Sequence, residues 1–232
     1  MSDYDAFAPI YDSWSAHMTD DVAWYVELAR EADGPIVELA VGNGRVAVPV
    51  TEAVRRPVVG IDASPAMLEA ARARAAAAGV ADLLELRLGD MRELELDEPA
   101  ALVTCPFRSL LHLPTWRDKR RVFERVAAAL RPGGRFAWNA FVFDPKIAAA
   151  ADGVHTVQNG VGHVVHQHPE DNRLDIVLDG GASVSLWWAT RSEWEGLLEV
   201  AGLETEALYG GFAREPFGEG SWEFVWVARR PA

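Results

Sequence analysis

Side chains suited to binding a nucleoside follow three predicted strands of this chain. A turn with two glycines, Gly42 and Gly44, comes directly after the first strand, and glycines there let a ligand approach the bare backbone and the amides of the next helix. Asp62 ends the second strand and can accept hydrogen bonds from both hydroxyls of a ribose. Asp90 ends the third strand, where its carboxylate and the backbone of Met91 suit an adenine ring. Together the three strand ends predict a site for an adenosine-containing ligand.

Each of these positions also has a purely structural interpretation. The glycines alone would make a tight turn, Asp62 would cap the following helix, and Asp90 would form a turn. The coincidence of all three favours the ligand site. A dinucleotide is not the expected ligand, because its fingerprint requires glycine where Ala40 and Ala47 stand. With Glu38 leading the turn, a ligand without phosphates fits better.

Strands and helices alternate along the first part of the chain, as is needed to place these strand ends side by side. Strands are predicted at 36–41, 58–62, 84–88, 101–105 and 135–143, and helices at 20–32, 66–78 and 118–130. Short apolar strands that alternate with helices are typical of a parallel sheet covered on both faces. The predicted fold class is therefore α/β, with a doubly wound, mostly parallel seven-stranded sheet.

After Pro145 the apolar pattern changes to a period of two, which favours antiparallel strands joined by tight turns. These strands are predicted at 163–166, 174–178 and 184–187, followed by a helix at 192–201 and strands at about 205–209 and 222–228. The pattern predicts an antiparallel β insert near the C-terminus. We expect one domain over 1–232 with four parts: a helical cap (1–35), a cofactor-binding core (36–145), the insert (146–190) and a closing helix and strands (191–232).

The composition and charge limit the kinds of partner that the chain is expected to bind. The 232 residues carry a formal net charge of −13, and a strongly negative surface repels phosphate backbones and anionic head groups. We therefore expect neither nucleic acid nor a membrane as a partner. No apolar run reaches the ~18 residues that a bilayer span needs, and the N-terminus lacks the order of a secretory signal. With Cys105 as the single cysteine, no internal disulfide forms, and the cytoplasm is the expected location.

Several motifs together resemble class I S-adenosylmethionine-dependent methyltransferases. Residues 38–45 are similar to motif I (E/D-x-G-x-G-x-G), with Ala40 in the place of the first glycine. The later matches are Gly60 to Leu68 (G-x-D-x-S-x-x-M-L), Gly89-Asp90-Met91, and Leu130 to Gly134 (L-x-P-G-G). The opening residues 4–12 are similar to the Y-D-x-x-A-x-x-Y-D segment of the small-molecule branch. The resemblance implies the Rossmann-like methyltransferase fold and S-adenosyl-L-methionine as the cofactor.

The resemblance also implies a set of cofactor-binding residues, which are Tyr11, Ala40, Gly42, Asp62, Ala63, Met67, Asp90, Met91 and Pro106. By analogy with the family, the backbones of Ala40 and Gly42 line the methionine portion, and Tyr11 covers its end. Asp62 holds the ribose, and Asp90 takes the adenine amino group.

The segment after the fourth strand is expected to meet the methyl acceptor. Residues 105–113 resemble a segment of amino-sugar N-methyltransferases from natural-product pathways, which makes His112 the candidate catalytic base. A helix histidine that packs or caps locally is the alternative for His112. Arg108 can bind an anionic acceptor, and an ion pair between loops is the equally weighted alternative. Trp14 is a candidate wall of the acceptor pocket. For Trp14 a core or dimer contact is the alternative, so a homodimer stays open.

A metal site is not expected. Four histidines lie at 155, 163, 166 and 168, but no carboxylate or cysteine completes a ligand set, and methyl transfer needs no metal. The sequence thus predicts a methyltransferase that acts on a nitrogen or oxygen of a small molecule, such as a secondary metabolite. Two alternatives remain: an NAD(P)-dependent oxidoreductase of the Rossmann type and a non-catalytic cofactor-binding module.

Overall fold

A computed structural model gives the fold of Tyr11, Ser13 and residues 19–232. In chain order the strands are β1 (Ile36–Leu39), β2 (Val58–Asp62), β3 (Leu84–Leu88), β4 (Ala100–Cys105), β5 (Leu130–Phe141), β6 (His155–Gln158), β7 (Val161–His168), β8 (Arg173–Leu178), β9 (Ser183–Trp187), β10 (Glu204–Tyr209) and β11 (Glu223–Arg229). The helices are α1 (Asp20–Glu31), α2 (Ala47–Val54), α3 (Pro65–Ala77), α4 (Trp116–Ala129), α5 (Pro145–Ala151) and α6 (Arg191–Ala201). Within the described part of the chain, none of these helices has the length and apolar character to cross a membrane.

The main sheet has seven strands in the order β10-β11-β5-β4-β1-β2-β3. Strands β1 to β5 pair in parallel, whereas β11 is antiparallel to both β5 and β10. The order reverses between β1 and β4, so their carboxyl ends open a crevice at the place where doubly wound sheets bind ligands. The predicted fold class is confirmed.

Apolar side chains of both faces of this sheet are buried under helices. On one face β5 packs Phe136 and Trp138 against α4 and α6, and on the other the strands meet α1, α2 and α3. Trp138 is fully buried and stacks on Phe136 and on Trp226 of β11, with ring centroids 4.7 and 5.6 Å away. Such aromatic stacks add to the free energy gained by burying apolar area.

Local signals explain where the helices begin. Ser64 accepts a hydrogen bond from the backbone N–H of Met67 at 3.2 Å, and Pro65 occupies the first helical position of α3. Thr190 and Glu193 form a capping box at the start of α6. Strand β5 begins at Leu130, five residues before the predicted start, because Leu130 pairs with Ala100.

The second sheet has four antiparallel strands in the order β6-β7-β8-β9, which confirms the predicted insert. Strand β6 of this sheet and helix α5, which precedes it in the chain, were not predicted. The start of α5 carries a readable signal, since Asp144 accepts from the amides of Lys146 and Ile147 and Pro145 follows it. Strand β6 is short and largely exposed, so it lacks the apolar alternation by which a strand is recognised.

Candidate active site

The turn after β1 uses the left-handed backbone region at three positions. Ala40, Gly42 and Gly44 have φ angles of 52°, 55° and 77°. Gly44 cannot be replaced without a shift, because an added Cβ would lie 3.1 Å from Val48 Cγ2 and 3.4 Å from Ala71 Cβ. Ala40 adopts a conformation in which glycine is more stable, so this turn is strained at the position where the motif normally has glycine.

Asp62 ties the glycine turn to the end of β2. Its Oδ2 accepts a hydrogen bond from the backbone N–H of Gly42 at 2.8 Å, and its Oδ1 accepts from the N–H of Ser64 at 2.8 Å. The two bonds fix the orientation of the carboxylate at the carboxyl edge of the sheet. A fixed carboxylate at this place suits a ribose.

Asp90 is engaged by a neighbour. The guanidinium of Arg92 contacts both carboxylate oxygens at 2.6 to 3.1 Å, and the backbone N–H of Arg92 donates to Oδ1 at 2.8 Å. Side-chain hydrogen bonding to Arg92 holds the pKa of Asp90 below its usual range. Arg92 also bonds Asp118 of α4 at 3.0 Å. Asp90 is therefore an ionised group shared with Arg92, and its contact with an adenine stays a prediction.

A cavity of about 440 Å³ lies at these strand ends. His112 lines it, as do most residues of the predicted cofactor set. Those members of the set are Tyr11, Ala40, Gly42, Asp62, Ala63, Met67, Asp90 and Met91. Pro106 does not line this cavity; its carbonyl instead accepts hydrogen bonds from the amide and hydroxyl of Ser109. We call this space the smaller cavity. Its volume is in the range of small-ligand sites.

A second cavity of about 1080 Å³, the larger cavity, adjoins the smaller one. Tyr11, Phe107, His112 and Val184 line both, and so form the junction between them. The Nδ1 atom of His112 lies 3.3 Å from the carbonyl oxygen of Ser185 in β9, which fixes the imidazole at the junction. The insert supplies much of the remaining wall, including Ile176 and Leu186 (the latter on β9).

Arg108 lines the larger cavity, but a carboxylate already holds it. Its Nη2 lies 2.7 Å from Oε2 of Glu223, a side chain that is 1% exposed. The structure thus contains an ion pair, as the sequence allowed, but it joins the turn after β4 to the first residue of β11 rather than two loops. A contact with an anionic acceptor stays a prediction. Trp14, the other predicted acceptor residue, lies outside the described residues.

A second buried ion pair was missed from the sequence. The two terminal guanidinium nitrogens of Arg45, Nη1 and Nη2, donate to the carboxylate of Asp21 at 2.6 Å, and the Arg45 guanidinium lies 4.5 Å from the ring centroid of Phe107. The sequence signal for this pair was the position of Arg45 directly after the glycine turn, which places its side chain next to the buried strand ends. A buried guanidinium needs a carboxylate partner. In the sequence, Glu38 was considered only as the leading residue of the turn; in the fold its side chain is buried, and burial raises its pKa from 4.5 to about 8.

The insert histidines do not converge on one point. His155 pairs with Asp179 at 2.8 Å and His168 with Asp175 at 3.0 Å, while His163 lines the larger cavity. Over Tyr11, Ser13 and residues 19–232, no three histidine, cysteine or acidic side chains are grouped as metal ligands.

Comparison with known proteins agrees with this geometry. Residues 36–134 match a family model described as a methyltransferase domain. The chain is 29% identical over 230 positions to the 27-O-demethylrifamycin SV methyltransferase of Amycolatopsis mediterranei (strain S699), covering 88% of this chain and 83% of that protein. It is 29% identical over 153 positions to the dTDP-4-amino-2,3,4,6-tetradeoxy-D-glucose N,N-dimethyltransferase of Saccharopolyspora spinosa, covering 66% and 56%. The solved structure of the CcbJ methyltransferase from Streptomyces caelestis aligns with a TM-score of 0.80 and 26% identity, covering 97% of this chain and 96% of that one.

The fold, the matched domain and these relatives together define the class of the protein. The chain is an S-adenosylmethionine-dependent methyltransferase with the Rossmann-like fold. The predicted resemblance, which included amino-sugar N-methyltransferases, is confirmed. The matches favour this interpretation over the oxidoreductase and the non-catalytic module. The smaller cavity also fits the cofactor, since it combines a fixed carboxylate at Asp62 with a turn that exposes backbone at Gly42.

Proposed function

We propose that this enzyme transfers the methyl group of S-adenosylmethionine to a nitrogen or oxygen atom of a small molecule, such as a secondary metabolite. The observation that carries the proposal is the junction at which Tyr11, Phe107, His112 and Val184 line both cavities. A donor in the smaller cavity and an acceptor in the larger one would meet there. The named relatives, which methylate a rifamycin at oxygen and an amino sugar at nitrogen, support this range of acceptors.

In this proposal the residues of the smaller cavity bind and orient the cofactor. Ala40 and Gly42 offer their backbone to the methionine portion, and Asp62 accepts hydrogen bonds from the ribose. A further group contacts the adenine side or closes the site, namely Tyr11, Ala63, Met67, Asp90, Met91 and, through the turn it shapes, Pro106. The cofactor supplies a methyl group on a sulfonium sulfur, so the protein mainly aligns donor and acceptor.

His112 is the proposed base. Its Nδ1–H donates to the Ser185 carbonyl in the tautomer that makes Nε2 the basic nitrogen. An acceptor that arrives as an ammonium or a hydroxyl must lose a proton, and a base at the junction takes it as the new bond forms. Arg108 and Trp14 are proposed to shape the acceptor side of the junction.

Location and assembly belong to the same proposal. We expect the enzyme to act in the cytoplasm without a nucleic-acid or membrane partner, either alone or as a homodimer. Light scattering on the purified protein measures the assembly state, and fractionation of cells that produce the full chain tests the location.

The test is methyl transfer from labelled S-adenosylmethionine to a panel of amines, alcohols, hydroxy acids and amino sugars. We expect labelled product with at least one class. We also expect His112→Asn to lower kcat about 10²- to 10⁴-fold, as loss of a general base does. Calorimetry should give that variant an affinity for S-adenosylhomocysteine within about twofold of the parent, because Asp62 and the glycine turn are unchanged.

His166→Asn is the matched control, since His166 is a half-exposed insert histidine that lines neither cavity. It should keep the parental kcat. A His112→Asn variant with the full parental rate would remove His112 from the chemistry. Failure to bind S-adenosylhomocysteine at all would contradict the use of the smaller cavity by the cofactor.

A further inference from the structure

The turn that follows β4 holds two consecutive non-glycine residues in the left-handed region. Phe107 and Arg108 have φ angles of 58° and 62°. Side chains other than glycine, asparagine and aspartate rarely adopt this conformation, and it persists only when surrounding contacts hold it. Two such residues in a row therefore need a specific restraint.

The ion pair between Arg108 and Glu223 supplies that restraint from the acceptor side. Besides the 2.7 Å contact of Nη2, the Nε atom of Arg108 lies 3.2 Å from each oxygen of Glu223. Asn139 of β5 donates to Oε1 of Glu223 at 2.7 Å, and Tyr25 of α1 donates to Oδ1 of Asn139 at 3.0 Å. Arg108 is thus tied through a buried chain of hydrogen bonds to three elements of the core.

Phe107 is held from the other side of the turn. The guanidinium of Arg45 lies over its ring, and Asp21 fixes that guanidinium with two hydrogen bonds. The ring of Tyr11 meets the same Phe107 edge-on, with centroids 6.0 Å apart. The strained turn is therefore clamped between two ion pairs, both of them joined to α1 or to the neighbouring strands.

The clamped turn leads directly into the junction. A short 3-10 helix, Ser109–His112, begins at the next residue, and Phe107 and His112 both line the two cavities. Arg108 is the one arginine or lysine among the described residues that line the larger cavity. Because its guanidinium is paired with the carboxylate of Glu223, Arg108 has a structural role at the larger cavity in addition to any contact with an acceptor.

We infer that the Arg108–Glu223 pair is a positioning device that holds Phe107 and His112 at the meeting point of cofactor and acceptor. This inference rests on the proposed function only in placing methyl transfer at that junction. Arg108 acts through the backbone of the turn, and Glu223 acts through Arg108. An acceptor therefore needs no acidic group to be recognised.

The decisive comparison is Arg108→Gly against Arg108→Ala. Both remove the ion pair, but glycine accepts a φ of 62° without strain and alanine does not. We expect kcat to fall about 10- to 100-fold in the alanine variant, and the loss in the glycine variant to be at least threefold smaller. In both variants the acceptor KM should change by less than threefold. Glu223→Gln should resemble Arg108→Ala, and the double variant should be no worse than either single one.

Arg214→Ala is the matched control, because Arg214 also has a left-handed backbone, with φ of 63°, and pairs with Glu31 at 3.3 Å. It lines neither cavity. We expect parental kcat and an unchanged pH profile, whereas the alanine variant at 108 should shift the acid limb of kcat that reports His112.

An acceptor-free measurement separates this inference from the proposed function. Hydrogen exchange over residues 107–113 should be at least tenfold faster in Arg108→Ala than in the parent, and unchanged in Arg214→Ala. Unchanged exchange in Arg108→Ala would overturn the inference. So would equal kcat in the glycine and alanine variants with a raised KM for carboxylate-bearing acceptors, which is the result for an anion-binding arginine. If the parent enzyme methylates nothing in the panel, the proposed function fails, and the exchange result still decides the inference.

Discussion

In the seven-stranded sheet every residue of β1 and β4 is buried, whereas in the four-stranded sheet β6 has three exposed residues and one half-buried one. Strand β8 is half-buried along most of its length. The main sheet carries helices on both faces, and the insert sheet buries mainly Leu178, Val184 and His163. The same chain thus contains one thoroughly packed region and one that is partly open to solvent.

In the proposed function the main sheet supplies most of the cofactor site, and the insert adds walls to both cavities. The strand ends of the packed sheet supply most of the wall of the smaller cavity, where backbone hydrogen bonds fix the orientation of Asp62. Strand β9 of the insert adds Val184, Ser185 and Trp187 to this wall. The insert forms part of the wall of the larger cavity, and it carries ion pairs that are partly exposed to solvent, such as His155–Asp179 and Arg173–Asp175. Such pairs contribute little to stability. In the proposed function this difference separates a well-packed cofactor side from a more open acceptor side, and the named relatives differ in their acceptors.

The largest expected effect tests the difference in packing directly. Trp138→Ala removes a fully buried ring from the aromatic stack and should lower the free energy of unfolding by about 3–5 kcal/mol. Ile176→Ala, in the half-buried strand β8, should lower it by less than about 1.5 kcal/mol, because part of its side chain is already in water. Urea unfolding followed by circular dichroism measures both.

Equal losses for the two variants would contradict the comparison. They would indicate that the insert folds as one cooperative unit with the main sheet and contributes as much to the core as β5 does.

The sequence predicts the packed region far better than the open one. Short apolar strands and capped helices are local signals, so β1 to β5 and the three strand ends at Gly42, Asp62 and Asp90 could be located along the chain. The contacts that complete the site are not local. Arg45 meets Asp21 across 24 residues and Arg108 meets Glu223 across 115, and no spacing rule predicts such pairs.

Other gaps have equally physical causes. The larger cavity is formed by segments from α1, the turn after β4, the insert and the loop before β11, so it appears only once the chain is folded. The partner of Asp90 is two residues away, at Arg92, but a carboxylate suited to an adenine and one suited to an arginine have the same sequence signature.

The pH dependence of stability tests how the packed region accommodates a buried carboxyl group. Burial raises the pKa of Glu38 from 4.5 to about 8, with Arg45 partly opposing the shift. Between those pH values the folded state binds a proton that the unfolded state releases, so stability present below pH 4.5 is lost as the pH rises through 8. We expect the free energy of unfolding to fall by about 2–3 kcal/mol between pH 5 and pH 8. Release of one proton allows at most about 1.4 kcal/mol for each of these pH units.

Glu38→Gln should flatten this dependence, because the amide does not titrate. Glu52→Gln, an exposed carboxylate on α2, should leave it unchanged. Unfolding free energies measured at pH 5, 6.5 and 8 give one pH slope for each protein: the parent, Glu38→Gln and Glu52→Gln. A parent enzyme whose stability does not change over this range would mean that Glu38 stays ionised in the fold, held by Arg45.

The smallest expected effect tests whether the division extends to ligand binding. Asp62→Asn keeps the shape of the side chain but removes its charge, and it should weaken S-adenosylhomocysteine binding about 10- to 100-fold, as loss of charge-assisted hydrogen bonds does. Ile176→Ala, which lines only the larger cavity, should leave that affinity within about twofold and raise the acceptor KM instead. Calorimetry and acceptor kinetics on both variants give a two-by-two comparison. If Ile176→Ala weakens S-adenosylhomocysteine binding as much as Asp62→Asn does, the larger cavity contributes to cofactor binding too, and its assignment to the acceptor fails.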